Sequence, residues 1–506
     1  ISAGLGLAEA RDIKHGNYSV VSVIGDGALT GGMAYEALNN ASRVKGNFVI
    51  ILNDNTMSIS KNVGGVSNML SEIRSSDSYY DLKENIGNVL YKLPKGDKIV
   101  KTIKKTKSNL KQVILHDSMF ESMGIYYLGP VDGHDMDKLI KILTVAKRMN
   151  GPVLVHVVTQ KGRGYKPAER NPSKFHGIGP FDIKTGCEIN KSDIPTYSKI
   201  FSDTICELGK KDNTVAAITA AMPDGVGLTK FSKWFPDRFF DVGIAEAHAV
   251  TFAAGLAAGG MKPVFAVYSS FLQRAFDQTI HDVCLQNLPV VIAVDRAGLV
   301  GSDGETHQGV FDLSFLSSIP NLSILSPKNR WEMADMVRFA VDFQYPVALR
   351  YPRGEAYEGL KEFRAPIEYG KSELLYEESE IAVMFVGHMS FLAEQVREDL
   401  KAAGYQCSLI NARFVKPLDT EMIRKISENH RILVTIEENV LTGGFGEQVE
   451  DFVMREDIPL KVRTIGISDD YVEHGNVDVL RKEVGLDRES IVKKVIADDR
   501  RIEEEK

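Results

Sequence analysis

The sequence predicts an α/β protein of three domains, each a mostly parallel sheet flanked by helices. Three observations carry that expectation. With 506 residues the chain exceeds what one hydrophobic core fills. Short apolar runs, of the kind buried on both faces of a parallel sheet, alternate with segments of helical period. Two stretches broken by Pro and Gly, 166–196 and 352–368, interrupt that alternation and read as linkers. The expected domains are therefore 1–190, 197–365 and 369–506.

Residues 3–14 have an amphipathic helical pattern and lead into a strand, Tyr18 to Ile24, which ends in Gly25-Asp26-Gly27. A helical run from Leu29 carries Met33, Ala34, Ala37, Leu38 and Ala41 at spacings of three and four. A second strand, Phe48 to Leu52, ends in Asn53-Asp54-Asn55-Thr56-Met57. Both strands of this βαβ unit stop in short oxygen-bearing residues, at the carboxyl ends where open parallel sheets bind ligands. Asp26 and Asn55 are hard oxygen donors, and a backbone carbonyl near Met57 adds a third. Such a set suits Mg²⁺, which fills its octahedron with phosphate oxygens and water. Gly-Asp-Gly alone is a common turn; followed by a helix, a buried strand and Asn-Asp-Asn, it is far more specific.

Beyond Ser60 the pattern weakens. Residues 61–124 read as an irregular excursion, with helical period returning near 99–123 and a basic cluster around Lys101, Lys104, Lys105 and Lys107. A lid over a site and a surface helical insertion both fit it. Order returns at Tyr126-Tyr127-Leu128, a helix at 137–149 and a strand at 153–158, closed by Lys161-Gly162-Arg163-Gly164-Tyr165. The second domain is expected to hold strands at 215–219, 239–242, 264–268, 290–294, 322–325 and 347–350, with helices at 246–258 and 271–286. The third holds strands at 381–386, 406–410, 431–436 and 460–463, and 500–506 form a charged tail. Glu246 lies where the strand ending near Asp241 gives way to a helix. By itself it reads as a partner of the helix dipole.

Hydrophobic residues at 43% and charged residues at 25% describe an ordinary globular chain, and a net charge of −7 gives no reason to expect nucleic acid as a partner. No run of apolar residues is long enough for a membrane span. Cys187, Cys206, Cys284 and Cys407 are scattered, which fits neither a disulfide framework nor a zinc site and points to the cytoplasm.

The segments Gly25-Asp26-Gly27-Ala28, Asn53 to Ser60, Gly129-Pro130-Val131-Asp132-Gly133-His134-Asp135 and Lys161 to Tyr165 resemble those of the transketolase-like thiamine-diphosphate enzymes. Within that group, Tyr268 to Arg274, Asp295-Arg296-Ala297-Gly298, Asp303 to Gly309 and Arg350-Tyr351-Pro352-Arg353-Gly354 resemble the 1-deoxy-D-xylulose-5-phosphate synthases. The resemblance runs over nearly the whole chain. It implies a homodimer with thiamine diphosphate and Mg²⁺ as cofactors, joining pyruvate to D-glyceraldehyde 3-phosphate with release of CO₂. It also implies residue roles. Asp26, Asn55 and the Met57 carbonyl hold Mg²⁺, and Gly27 and Ala28 bring N–H groups to the diphosphate. Tyr165 and Phe271 contact the cofactor, and Glu246 is the carboxylic acid at its aminopyrimidine. His307 exchanges protons with the substrate oxygens and Asp303 orients a hydroxyl or the second substrate. Tyr268, Arg296 and Arg353 receive the phosphate of the aldehyde, with Arg274 a further substrate contact or an ion-pair residue. His134, His176 and His248 are weaker candidates: a gating or substrate role for His176, packing for His248.

Two departures stand out. Glu246 is followed by Ala247-His248 where the family has Gln and then His. The chain opens at Ile1, beyond the point where the family carries a Gly-His-Ser stretch and active-site histidines, so it is expected to lack an N-terminal segment. The competing expectations are a transketolase, a 2-oxoacid dehydrogenase component, and an inactive cofactor-binding scaffold. The third domain is expected to be chiefly structural.

Overall fold

The computed structural model of the chain describes residues 1–58, 62–75, 119–189 and 193–504. Residues 76–118, which hold the basic cluster and most of the helical period expected at 99–123, lie outside the described residues. The chain forms two compact units, residues 1–191 with 242–245, and residues 192–241 with 246–506.

The first unit is built on β1 (Val21–Gly25), β2 (Phe48–Asp54), β3 (Tyr126–Asp132) and β4 (Pro152–Val158), in the order β1-β2-β4-β3 and all parallel. Alternation along the strands makes two cores. Phe48, Ile50, Leu52, Tyr127 and Leu154 pack on one face, and Val49, Leu128, Val153, Val155 and Val157 on the other. That is the pattern of a parallel sheet covered on both sides. Register sets Gly25 beside Asn53, so Asp26 and Asn55 leave the sheet from adjacent strand ends. The helix expected from Leu29 starts at Gly32, after a 3₁₀ turn over Ala28–Thr30. Residues 166–189, expected as linker, fold into a short helix at Lys166–Arg170 and an aromatic cluster of Tyr165, Phe175 and Phe181.

The second unit carries two sheets. One comprises β5 (Val215–Thr219), β6 (Phe239–Asp241), β7 (Lys262–Tyr268), β8 (Val291–Asp295), β9 (Ser323–Leu325) and β10 (Val347–Arg350). The other comprises β11 (Glu373–Tyr376), β12 (Glu380–Phe385), β13 (Cys407–Asn411), β15 (His430–Val440) and β16 (Lys461–Ile467). The strand between, β14 (Phe414–Lys416), leaves the second sheet and pairs antiparallel with β9, giving the first the order β14-β9-β10-β8-β7-β5-β6. β11 is antiparallel to β13, and the other pairs are parallel. Neither short antiparallel strand was expected from the sequence. The helix expected over 271–286 is broken into short α and 3₁₀ turns and a π-helical stretch at Thr279–Cys284.

Where the chain passes from β13 to β14, a buried ion network joins the sheets. Glu332 accepts from Lys328 Nζ at 3.1 Å, Arg413 Nε at 2.8 Å and Asn411 Nδ2 at 3.0 Å, and its other oxygen accepts from the Lys328 N–H at 2.7 Å. Glu373 shares Lys328 Nζ at 2.6 Å and Arg413 Nη2 at 3.0 Å. Asn329 caps the following helix by accepting from Glu332 N–H at 3.1 Å. Removing one carboxylate strands a buried cation. Glu332→Ala is expected to destabilise the unit by about 3–5 kcal/mol, and Glu332→Gln by less, read from urea unfolding.

Candidate active site

In the first unit Asp26 follows β1, and its N–H donates to Asn53 O at 3.2 Å. The side chain is 3% exposed, and among the described residues its Oδ1 has no hydrogen-bond partner. Burial, reinforced by the neighbouring Asp54 carboxylate, pushes the Asp26 carboxyl up to about 6. Asp54 is the opposite case. Burial works against its charge, but His156, Asp26 and Arg74 outweigh that and hold it at about 2. His156 Nε2 lies 2.9 Å from Asp54 Oδ2, and Tyr127 Oη lies 2.6 Å from His156 Nδ1. Arg74 pairs with the same Asp54 oxygen, and Thr56 N–H donates to Asp54 Oδ1 at 3.2 Å. Asp54 is thus committed to protein partners. Asn55 Oδ1 accepts from Met57 N–H at 3.0 Å, an Asx turn made possible by Thr56 at φ +64. A Cβ on Gly27 would stand 2.8 Å from Ser58 Cβ, so only glycine allows that approach.

These residues fit a diphosphate–metal group on one count above all: among the described residues a buried carboxylate oxygen lacks a partner, and a divalent cation would supply one. Among the described residues, no three His, Cys, Asp or Glu side chains gather as a metal site. A cation at Asp26 would therefore have to take its other oxygens from amide, backbone and ligand. The Tyr165 hydroxyl donates to Ile183 O at 2.8 Å. His134 Nε2 accepts from Gln160 N–H at 2.9 Å, and His176 Nδ1 lies 2.9 Å from Lys161 Nζ.

In the second unit Glu246 is the first residue of the helix Glu246–Ala258 and is 3% exposed. Burial raises its carboxyl above the usual range, against the opposing charge of Arg274. Arg274 Nη1 sits 2.6 Å from Glu246 Oε2. Arg274 is thus paired with Glu246, apart from the other two arginines. Those converge on Asp303, whose Oδ2 receives Arg296 Nη1 at 2.6 Å and Arg353 Nη1 at 2.8 Å. The Arg296 guanidinium lies 3.9 Å from the centre of the Tyr268 ring. Phe271 stacks near Tyr268 at 5.5 Å and meets His307 edge-on at 5.2 Å. His248 is exposed against Phe252 at 5.9 Å, which fits packing.

Profiles of known families match three successive stretches of the chain. A profile described as 1-deoxy-D-xylulose-5-phosphate synthase matches residues 1–159, the transketolase pyrimidine-binding domain matches 194–358, and the transketolase C-terminal domain matches 370–491. The 1-deoxy-D-xylulose-5-phosphate synthase of Lachnoclostridium phytofermentans is 53% identical over 98% of this chain and 80% of its own length. That of Clostridium tetani is 51% identical over the same shares. The chain belongs to the 1-deoxy-D-xylulose-5-phosphate synthase family. It is therefore a transketolase-class enzyme, and its family implies thiamine diphosphate as cofactor. A solved structure described as a split-gene transketolase, inactive β4 tetramer, is 26% identical with TM-score 0.55, covering 60% of this chain and 97% of its own. A transketolase from Campylobacter jejuni covers 98% of the chain and 80% of its own at TM-score 0.52 and 16% identity, a likeness of fold alone.

Three buried polar groups have no role in the sequence reading: His156 and Tyr127 in the first unit and Asp295 in the second. Each is a polar residue in an apolar strand, which is the available signal. Asp295 ends β8, accepting from Ser198 Oγ at 2.7 Å and from Arg296 N–H at 2.7 Å. Burial still pushes its carboxyl up to about 7. The folded state then holds the Asp295 proton more tightly than the unfolded chain does. Its contribution to stability is full below about pH 4 and is lost as pH rises towards 7, by about 4 kcal/mol at most. Asp295→Asn is expected to flatten that part of the pH dependence and to gain on the wild type between pH 5 and 8, checked by urea melts.

Proposed function

We propose that the chain joins pyruvate to D-glyceraldehyde 3-phosphate, releasing CO₂ and giving 1-deoxy-D-xylulose 5-phosphate, the first step of the non-mevalonate isoprenoid route and a source for thiamine synthesis. Similarity to the family over 98% of the chain supports this, and the single structural observation that carries it is the buried Asp26 oxygen that lacks a partner among the described residues. When bound, thiamine diphosphate supplies the electron sink for loss of CO₂.

The chain's own residues divide the remaining work. Asp26, Asn55 and the Met57 carbonyl hold Mg²⁺. Gly27 and Ala28 allow close approach of backbone N–H groups to the diphosphate, and the small residues that follow lead into a helix N-terminus. Tyr165 and Phe271 are assigned to the cofactor's surroundings. Glu246, kept more protonated by burial, holds a proton at the aminopyrimidine ring nitrogen, and Arg274 fixes the orientation of its carboxyl group. Arg296 and Arg353 present guanidinium groups to the aldehyde's phosphate with Tyr268 beneath Arg296, and Asp303 spaces the two cations. His307, beside Phe271, exchanges protons with the substrate oxygens. The working form is taken to be a cytoplasmic homodimer, as the transketolase-like family suggests, with residues 1–190, 197–365 and 369–506 as its domains.

A pyruvate-consumption assay with thiamine diphosphate and Mg²⁺, with and without the aldehyde, tests the reaction. Product is expected only with the aldehyde, and Glu246→Ala is expected to lower kcat about 100-fold or more. Product without aldehyde dependence, or full activity in the variant, would sink the assignment.

The metal reading has its own test. Mg²⁺ with thiamine diphosphate at about 100 times Kd is expected to stabilise the wild-type chain by about 2.7 kcal/mol. That gain should be lost in Asp26→Asn, checked by thermal unfolding without substrate.

A further inference from the structure

The loop after β8, residues 296–309, carries Arg296, Asp303 and His307, and its base closes on itself. Gly298 N–H donates to Gly309 O at 2.6 Å and Gly309 N–H donates to Gly298 O at 2.8 Å. Between those points, the loop is gripped from the other sheet of the same unit. Glu438, on β15, is 1% exposed, and its Oε2 accepts from the Leu299 N–H at 3.0 Å. The same oxygen faces His388 Nε2 at 2.7 Å, and Oε1 receives Arg481 Nε at 2.7 Å. The Glu438 carbonyl accepts from Arg350 Nη2 at 2.8 Å, and Arg350 Nε reaches Asp312 Oδ2 at 2.7 Å.

Further contacts follow the loop outward. Gln308 Oε1 accepts from Val300 N–H at 2.8 Å, while its Nε2 donates to Glu473 O at 2.9 Å. Gly475 N–H donates to Gly301 O at 3.3 Å, and Val440 N–H donates to Val310 O at 2.8 Å. A Cβ on Gly298, which sits at φ +83, would stand 2.1 Å from Glu438 Oε2. The loop sequence therefore leaves space for this one carboxylate.

We infer that Glu438 is a positioning residue: through Leu299 it sets the path of the 296–309 loop, and so the placement of Asp303 between Arg296 and Arg353. The argument is geometric. A charged acceptor makes a stronger, shorter-ranged hold on a backbone N–H than a neutral one. Here that acceptor is itself fixed by His388, in the turn Gly387–Met389, and by Arg481, on the helix Val477–Glu483, so it cannot follow the loop. Burial works against its charge, and Arg481 and His388 outweigh that. The rigid body that aligns the two arginines is then the C-terminal sheet. The inference rests on the reading that this loop serves the phosphorylated aldehyde.

Two variants of the full chain, Glu438→Gln and Arg481→Gln, test it with two readouts. Arg481 lies nearer the surface, so its variant decides the question if Glu438→Gln fails to fold. Amide hydrogen exchange of the 298–310 peptide, measured without substrate, is expected to speed up about tenfold in Glu438→Gln. The KM for D-glyceraldehyde 3-phosphate is expected to rise about tenfold while the KM for pyruvate moves less than about twofold. Arg481→Gln should shift both readouts in the same direction. Unchanged loop exchange in a folded variant overturns the inference. So does faster exchange with an unchanged aldehyde KM, or a parallel change in both KM values. If the wild-type chain forms no product, the functional reading fails, and the exchange measurement alone then decides whether Glu438 holds the loop.

Discussion

A carboxylate taken out of water must gain cations and N–H donors or else hold its proton. This chain uses both answers, and the difference sorts its acids by task. Asp54, Glu332, Glu373 and Glu438 are buried beside Arg, Lys or His groups that favour their charge. All four tie strands or loops together. Asp26, Glu246 and Asp295 are as deeply buried but supplied less fully, and burial drives each carboxyl upward. All three stand where a β-strand ends or a helix begins, each at the kind of strand end where a parallel sheet presents ligands. A raised carboxyl without enough partners is a poor fastener. It is a good place for a cation or a shared proton.

The strands of these sheets were readable because a parallel sheet covered on both faces demands apolar runs, and such runs are hard to mistake. All four strands of the first unit and the six main strands of the seven-stranded sheet fall where the runs predict them, within about three residues except at β3, which extends four residues further to Asp132. The misses have a common cause. β11 and β14 are short, antiparallel and edge-bound, and their pairing is decided by partners distant in sequence. Ala28–Thr30 and 271–286 went wrong for a different reason: apolar spacing reports helical period but not whether the turn closes on the third, fourth or fifth residue. At the site, residue types and spacing pointed to Asp26, while Glu246 came only with the family resemblance; the burial of both then adds the physical rationale. Types and spacing could not reveal that Arg274 pairs with Glu246 while Arg296 and Arg353 share Asp303. That sorting is three-dimensional.

The same limit explains why the C-terminal sheet reads from sequence as packing. Its strands carry Glu437, Glu438 and Asn439 in succession inside an otherwise apolar run, and a sequence reader sees only an interrupted strand. In the fold those three residues face three different tasks. Glu437 accepts the N–H groups of Phe445 and Gly446 at the start of a helix, at 2.8 and 2.7 Å. Asn439 accepts from the Leu313 N–H at 3.2 Å. Glu438 takes the Leu299 N–H. Each thereby satisfies backbone donors that the chain leaves unpaired at a helix start or a loop, donors that would otherwise be costly to bury. Two of those four donors, the Leu299 and Leu313 N–H groups, belong to the loop after β8 and the helix Asp312–Ser317 beside the neighbouring sheet. A strand that spends its polar side chains on another sheet's backbone fixes where that backbone runs, and the loop it fixes here is the one that holds Arg296 and Asp303. Packing and placement of the chemistry are in this unit the same set of hydrogen bonds.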